Sequence, residues 1–164
     1  MRIKSLSLGT IAPALILLGS LYLTGETPGR QSSPPQSCPV SPASLPTERF
    51  LDDMRTKNIR DVLALYTPNA VFIEPSGKRY RGSGALRALY RRVFATFDSD
   101  MVMKARKFSS GKNPKICIES GTYDEDLRLR SSGSVHRYVG SYRFTYELQT
   151  TGQWLLSRQE WTSP

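Results

Sequence analysis

Histidine and cysteine are scarce in this sequence, which has one histidine, His136, and two cysteines, Cys38 and Cys117. One histidine cannot build a conventional zinc site. The acidic run Asp-Glu-Asp at 124–126 lacks the glycine and the downstream acid of a calcium-binding loop. Cys117 has no adjacent basic residue that would activate it as a nucleophile. The sequence therefore predicts no bound metal and no cofactor.

The two cysteines leave two interpretations open. An oxidising compartment would allow Cys38 and Cys117 to pair, and a bridge closing a loop of about 80 residues would stabilise the fold by about 4 kcal/mol in the chain-entropy model. Otherwise Cys117, which lies in an apolar run, is a buried free thiol, and Cys38 is an unpaired residue of a linker. A count of two cysteines does not decide between these interpretations.

Acidic residues are absent between Glu74 and Asp98, and the chain has a net charge of +9. Six basic residues lie in that stretch, namely Lys78, Arg79, Arg81, Arg87, Arg91 and Arg92. A basic face of this kind can meet anionic lipid or polysaccharide, or it can be a solvated helix face. No stacking-aromatic motif interleaves the arginines, so nucleic acid is not an expected partner.

The first 25 residues have a basic start followed by an apolar run. Arg2 and Lys4 precede residues 6–23, which contain no charged side chain. This layout is typical of a signal peptide, although about 20 apolar residues also suffice for an uncleaved membrane anchor. We therefore expect residues 1–25 to direct export, leaving the protein periplasmic, extracellular or anchored through that segment. Residues 26–45 are rich in proline and serine and are predicted to form a disordered linker.

Residues 46–164 are left for a single folded domain. Apolar residues at helical spacing predict three helices, at 47–55, 59–66 and 83–97. Strands are predicted on either side of a Pro-Ser-Gly turn and near the end of the chain, at 70–74, 78–81, 135–149 and 154–161. Helices followed by a run of antiparallel strands predict an α+β fold.

Alternation along the last two strands predicts which side chains face the interior. The even positions of 135–149 are mostly aromatic and are predicted to face inward; they include His136, Tyr138, Tyr142, Phe144 and Tyr146. In the final strand, an inward face set by Trp154 and Leu156 would also bring Arg158 and Glu160 inward. Two inward charges usually pair or line a cavity that admits water.

The order of elements and three stretches of the chain resemble the nuclear transport factor 2-like, or SnoaL-like, superfamily. The stretches are "DVLALYTPNAVFIEPSG", "RGSGALRALY" and the terminal "TGQWLLSRQEWTS". The resemblance implies a curved antiparallel sheet wrapped around N-terminal helices, forming a cone with a central pocket. These motifs are shared by many unrelated activities, so they imply the fold rather than the function.

Within that superfamily, resemblance to the ketosteroid isomerases implies a role for Glu74, which takes the place of their general base in "PNAVFIEPSG". Their oxyanion hole uses a tyrosine on the first helix and an aspartic acid on the sheet. The resemblance places Phe50 at the first of these positions and Tyr142 or Phe144 at the second. Phe50 has no proton to donate, whereas Tyr142 and Tyr90 could each supply a donor.

We expect a pocket in the cone around Glu74. Its predicted lining is mainly aromatic and charged, namely Phe50, Tyr66, Tyr90, His136, Tyr138, Tyr146, Trp154, Arg158 and Glu160. Alternatively, Glu74 is a strand-end acid paired with an arginine such as Arg158. The leading hypothesis is a module that binds a small, largely apolar molecule. The alternatives are an isomerase, hydratase or lyase using Glu74 as base and Tyr142 as donor, a domain that dimerises through its sheet, and a cone filled by its own side chains.

Overall fold

The computed structural model describes Cys38 and residues 45–164. The predicted signal peptide or anchor at 1–25 lies outside the described residues, as does most of the predicted linker at 26–45. In the described part, three helices and six strands follow one another as α1 (Thr47–Thr56), α2 (Ile59–Ala64), β1 (Tyr66–Ile73), β2 (Arg79–Arg81), α3 (Gly82–Thr96), β3 (Phe97–Ser110), β4 (Ile116–Leu129), β5 (Val135–Leu148) and β6 (Trp154–Thr162). No helix among these residues is both long and apolar enough to cross a membrane.

The six strands form one sheet in the order β2-β1-β6-β5-β4-β3. Neighbouring strands are antiparallel, except that β1 and β6 are parallel. Helix α3 packs against β1, and α1 packs against β3. The hydrophobic core therefore lies between the helices and one face of the sheet. The α+β class predicted from the order of elements is confirmed.

Helix α3 is amphipathic because its apolar residues recur at helical spacing. One stripe is buried and comprises Leu86, Leu89, Tyr90 and Phe94. The arginines at 87, 91 and 92 are exposed, so the basic residues of this helix lie on its solvent face. Phe97, which was predicted to end this helix, begins β3 instead.

Strand β5 follows the predicted alternation only in its second half. Tyr142, Phe144 and Tyr146 are buried, whereas Ser141 and Arg143, on the opposite face, are exposed. In the first half both faces are exposed, and His136 and Tyr138 are exposed with their neighbours. Alternation predicts burial only where another element covers one face, and this end of β5 lacks such cover among residues 45–164.

The inward face of strand β6 differs from the predicted one because the strand contains a bulge. Thr145 of β5 pairs with Arg158 and Tyr146 pairs with Leu156, which leaves Ser157 as an extra residue in β6. Such a β-bulge moves every later side chain to the opposite face. Leu156 is buried before the bulge, and Gln159 and Trp161 are buried after it. The prediction that Arg158 and Glu160 point into the interior is therefore wrong. They are half-buried, and Arg158 Nε lies 3.3 Å from Glu160 Oε2.

Gly140 provides a test of how closely the strands pack. A Cβ atom at this position would lie 2.0 Å from the backbone oxygen of Thr162 and 2.8 Å from the ring of Tyr123. We expect Gly140→Ala to lower the free energy of unfolding by about 1–3 kcal/mol, since backbone cannot yield as a flexible side chain can. Gly84→Ala is the control, because a Cβ there meets nothing within 4 Å and alanine favours a helix. Equal stability of the two variants in urea denaturation would contradict the prediction.

Candidate functional site

A cavity of about 250 Å³ lies between α1, α3 and the sheet. Helix α1 contributes Phe50 and Met54, and α3 contributes Leu89, Tyr90 and Val93. The remaining lining residues come from the sheet and the turn after β1. Seven of the fifteen lining residues are aromatic, namely Phe50, Phe72, Tyr90, Phe97, Tyr123, Tyr138 and Trp161. Only two lining residues carry an ionisable carboxyl group, Glu74 and Glu125.

Glu74 lies at the wall of this cavity, directly after β1. The turn that follows is closed by hydrogen bonds from the Glu74 N–H to the Lys78 carbonyl and from the Gly77 N–H to the Glu74 carbonyl. Tyr80 on β2 donates its hydroxyl to Glu74 Oε1 at 2.6 Å. Tyr80 in turn accepts a hydrogen bond from Arg92 at 2.9 Å. Glu74 is thus held by a tyrosine that connects it to the basic face of α3.

The predicted alternative of an ion pair between Glu74 and Arg158 is wrong. The side-chain hydrogen bonds to Glu74 come from Tyr80 and Ser76, whereas Arg158 contacts Glu160. The bulge at Ser157 provides the physical reason, because it moves Arg158 to the sheet face away from the core.

Glu125 is a second carboxyl group of the cavity and was not predicted from the sequence. It lies on β4 opposite Met101 of β3 and Tyr138 of β5. Ser99 donates its hydroxyl to Glu125 Oε1 at 2.6 Å. Burial raises the pKa of Glu125, and the hydrogen bond from Ser99 only partly opposes this effect. The signal was present in the sequence, since every second position from 117 to 127 shares one face of β4, but the acidic run at 124–126 was considered only as a calcium-binding loop.

Beneath the cavity lies a fully buried acid, Glu119 of β4. Its Oε1 accepts hydrogen bonds from Arg106 Nε at 2.6 Å and from the Tyr142 hydroxyl at 2.9 Å. Its Oε2 accepts from Thr47 at 2.5 Å and from Tyr146 at 2.8 Å. Burial, together with the charge of Glu119, raises the pKa of both tyrosines. We call this group of five side chains the Glu119 cluster. Its role in the fold is to provide a counter-ion and hydrogen-bond donors for an acid inside the core.

A second buried network joins three elements below the cavity. The hydroxyls of Tyr66 and Tyr90 are 2.5 Å apart, and Tyr66 also donates to the side-chain oxygen of Gln159. Burial raises the pKa of Tyr66 and of Tyr90, so both stay protonated at neutral pH. These hydroxyls are therefore held as structural donors.

The predicted pocket residues fall into three groups. Phe50, Glu74, Tyr90 and Tyr138 line the cavity. Three tyrosines are buried below it in the two networks, namely Tyr66, Tyr142 and Tyr146. The others lie elsewhere, and these are the exposed His136 and the half-buried Trp154, Arg158 and Glu160. The sheet does bring an aromatic wall to the cavity, and its tryptophan is Trp161, which the bulge in β6 turns inward. Trp154 lies at the other end of β6, opposite Leu148.

Cys38 and Cys117 form a disulfide bridge that spans 79 positions of sequence, with their Cα atoms 4.9 Å apart. Cys117 is fully buried near the start of β4, and Cys38 packs against the core. Among the residues that the structure describes, no three histidine, cysteine, aspartate or glutamate side chains form a group that could hold a metal ion.

The fold and the cavity define an α+β domain with one sheet and an apolar chamber between that sheet and the helices. Residues 47–145 match the SnoaL-like domain family, and the chain belongs to that family. The resemblance noted in the sequence is thereby confirmed. A search among curated proteins gives no match.

Solved structures with the same fold have low sequence identity to this chain. A nuclear transport factor 2 superfamily protein from Salmonella enterica serovar Typhimurium has 16% identity and a TM-score of 0.64, covering 72% of this chain and 85% of that one. A ketosteroid isomerase-like protein from Erwinia carotovora atroseptica has 20% identity and a TM-score of 0.60, covering 74% of this chain and 96% of that one. At these identities the similarity establishes the fold alone.

Proposed function

We propose that this SnoaL-like domain binds a small, largely apolar molecule in the cavity between α1, α3 and the sheet. The observation that carries the proposal is the lining itself, in which aromatic and aliphatic side chains surround two carboxyl groups. Apolar cavities with a few placed polar groups are the usual form of a small-molecule site. The lining residues stand mainly on helices and long strands, so the site is held by regular structure.

An acid–base enzyme that uses Glu74 is the second candidate. Its support is that Glu74 lies at the cavity wall, within reach of a bound molecule. The hydroxyls that would stabilise an oxyanion are already engaged, because Tyr142 donates to Glu119 and Tyr90 is bonded to Tyr66. Phe50, at the wall, has no hydroxyl. Oxyanion donors usually contribute the largest part of such catalysis, so binding without turnover is the better supported function.

We also propose that the domain works outside the cytoplasm. The support is the bridge between Cys38 and Cys117, since disulfides persist mainly in oxidising compartments. The basic and apolar pattern at the start of the chain is typical of a segment that directs export. The two observations are independent, because one concerns the folded domain and the other concerns the first 25 residues.

A cavity-filling substitution tests the binding proposal. Val93 lines the cavity from α3, so Val93→Phe should occupy part of the volume that a ligand needs. We expect it to weaken binding of naphthylmethanol, a neutral ring-containing probe, at least about tenfold, a loss of about 1.4 kcal/mol. Isothermal titration calorimetry measures the affinity.

The matched control is Val139→Phe, because Val139 is exposed on β5 outside this cavity. Binding of naphthylmethanol should be unchanged in this variant. Equal affinity of the Val93→Phe protein and the unchanged protein would contradict the proposed site.

A further inference from the structure

The charge of the cavity is opposite to that of the chain. The chain carries a net charge of +9, yet none of the fifteen lining residues is lysine, arginine or histidine, and two are glutamates. On α3 the arginines at 87, 91 and 92 are exposed, and Arg92 bonds to Tyr80, which is not a lining residue but is itself bonded to Glu74. A bound molecule therefore meets negative charge and aromatic rings, with no basic side chain in the lining to pair with an anionic group.

Glu125 is a shielded carboxyl group without a cationic partner. Ser99 satisfies Oε1, and none of the ion pairs within residues 45–164 includes Glu125. A buried carboxylate is costly unless it is paired. Glu119, in contrast, is fully buried and has Arg106 as its counter-ion, whereas Glu125 is half-buried and takes part in none of these ion pairs. A cation that enters the cavity would therefore meet in Glu125 a carboxyl group that no lysine or arginine among residues 45–164 already pairs with.

The aromatic lining adds a second attraction for positive charge. Ring faces attract cations, and aromatic cages commonly recognise ammonium groups. Tyr123 is the second residue before Glu125 on β4, and Tyr138 faces Glu125 from β5, so rings and carboxyl group lie on the same wall. Glu74 stands at the far side of the sheet, because β1 and β4 are separated by β6 and β5. The two glutamates therefore approach a ligand from different walls.

We propose that the ligand of this cavity is a lipophilic organic cation, an apolar ring-containing body with one protonated amine or quaternary ammonium group that pairs with Glu125. This inference rests on the proposed binding function and narrows it to a chemical class. Its rival is a neutral ligand whose hydroxyl group bonds to an uncharged Glu125.

Three probes that share one ring system distinguish these classes. They are naphthylmethylammonium, naphthylmethanol and naphthoate, which are cationic, neutral and anionic at pH 7. We expect the cation to bind at least about tenfold more tightly than the alcohol, and naphthoate to bind more weakly than either. Calorimetry with the full domain, disulfide intact, measures all three.

Glu125→Gln assigns the preference to one carboxyl group. We expect this variant to lose at least about tenfold in affinity for naphthylmethylammonium while its affinity for naphthylmethanol stays within about threefold. Its thermal stability should be level or higher, because a half-buried acid without a counter-ion has been removed. Glu147→Gln is the control, since Glu147 lies on β5 outside the cavity, and it should keep the affinities of the unchanged protein.

The outcomes separate the inference from the function on which it rests. Binding of the alcohol as tight as that of the cation would overturn the inference and leave the proposed binding function standing. Loss of cation binding in Glu147→Gln, or its retention in Glu125→Gln, would overturn the role of Glu125. Failure of all three probes to bind would overturn both proposals.

Discussion

Replacing Arg106 by methionine is expected to lower the free energy of unfolding by about 3–5 kcal/mol. Arg106 is the counter-ion of Glu119, which is fully buried, and it also contacts Glu48 on α1. Burial lowers the pKa of Arg106, but its bonds and charge interactions with the two glutamates raise it overall. Methionine keeps much of the volume and removes the charge, so the Glu119 carboxylate would stay in the core without its cation. Urea denaturation at pH 7 measures the loss.

The matched control for this experiment is Arg60→Met on α2. Arg60 also contacts an acid, Asp61, but its side chain is 88% exposed, and exposed ion pairs contribute little. We expect this variant to change the free energy of unfolding by less than about 1 kcal/mol. A loss in Arg106→Met as small as that of the control would mean that the Glu119 cluster does not carry a buried charge.

Cys38→Ser is expected to lower the free energy of unfolding by about 4 kcal/mol. The bridge to Cys117 spans 79 positions, and cross-links that close long loops restrict the unfolded chain most in the chain-entropy model. Replacing Cys38 leaves Cys117 in its buried site, where a free thiol behaves as a small apolar group. The measurement is urea denaturation of the oxidised proteins.

A reducing agent supplies the control for the disulfide prediction. Reduction should bring the unchanged protein close to the stability of Cys38→Ser and should leave the variant itself unaffected. Two titratable thiols in the folded, unreduced protein would contradict the prediction at once, because they would show that the bridge does not form.

The helices and the hairpin were predictable because their signals are local. The apolar residues of helix α3 recur at helical spacing, and this pattern can be recognised without knowing what the helix packs against. The Pro-Ser-Gly turn likewise marks the reversal between β1 and β2. The predicted bounds of these elements lie close to the observed ones, the largest change being that β1 begins at Tyr66. Tyr66 had been assigned to the preceding helix, where its spacing also fits.

The composition of the candidate site was only partly predictable, because it depends on pairing between distant strands. Ser157 has no sequence feature that marks it as a bulge, yet it decides that Trp161 lines the cavity and Arg158 does not. Glu125 lies on a strand that the sequence analysis did not assign in detail. The partner of Tyr142 is also distant in sequence, since Glu119 lies on β4 and is itself bonded to Arg106 of β3.

The bulge at Ser157 divides the last strand into two segments, and the alternation of buried side chains is offset by one residue between them. Leu156, before the bulge, lies in the row of Tyr146 and Cys117 at the disulfide end of the sheet. Trp161, after it, lines the cavity between α1, α3 and the sheet. In a strand without a bulge, a shift of register by one residue would move the side chains at both ends to the opposite face of the sheet. With the offset in place, the face that β6 presents to the cavity is set separately from the face that it presents at the disulfide end.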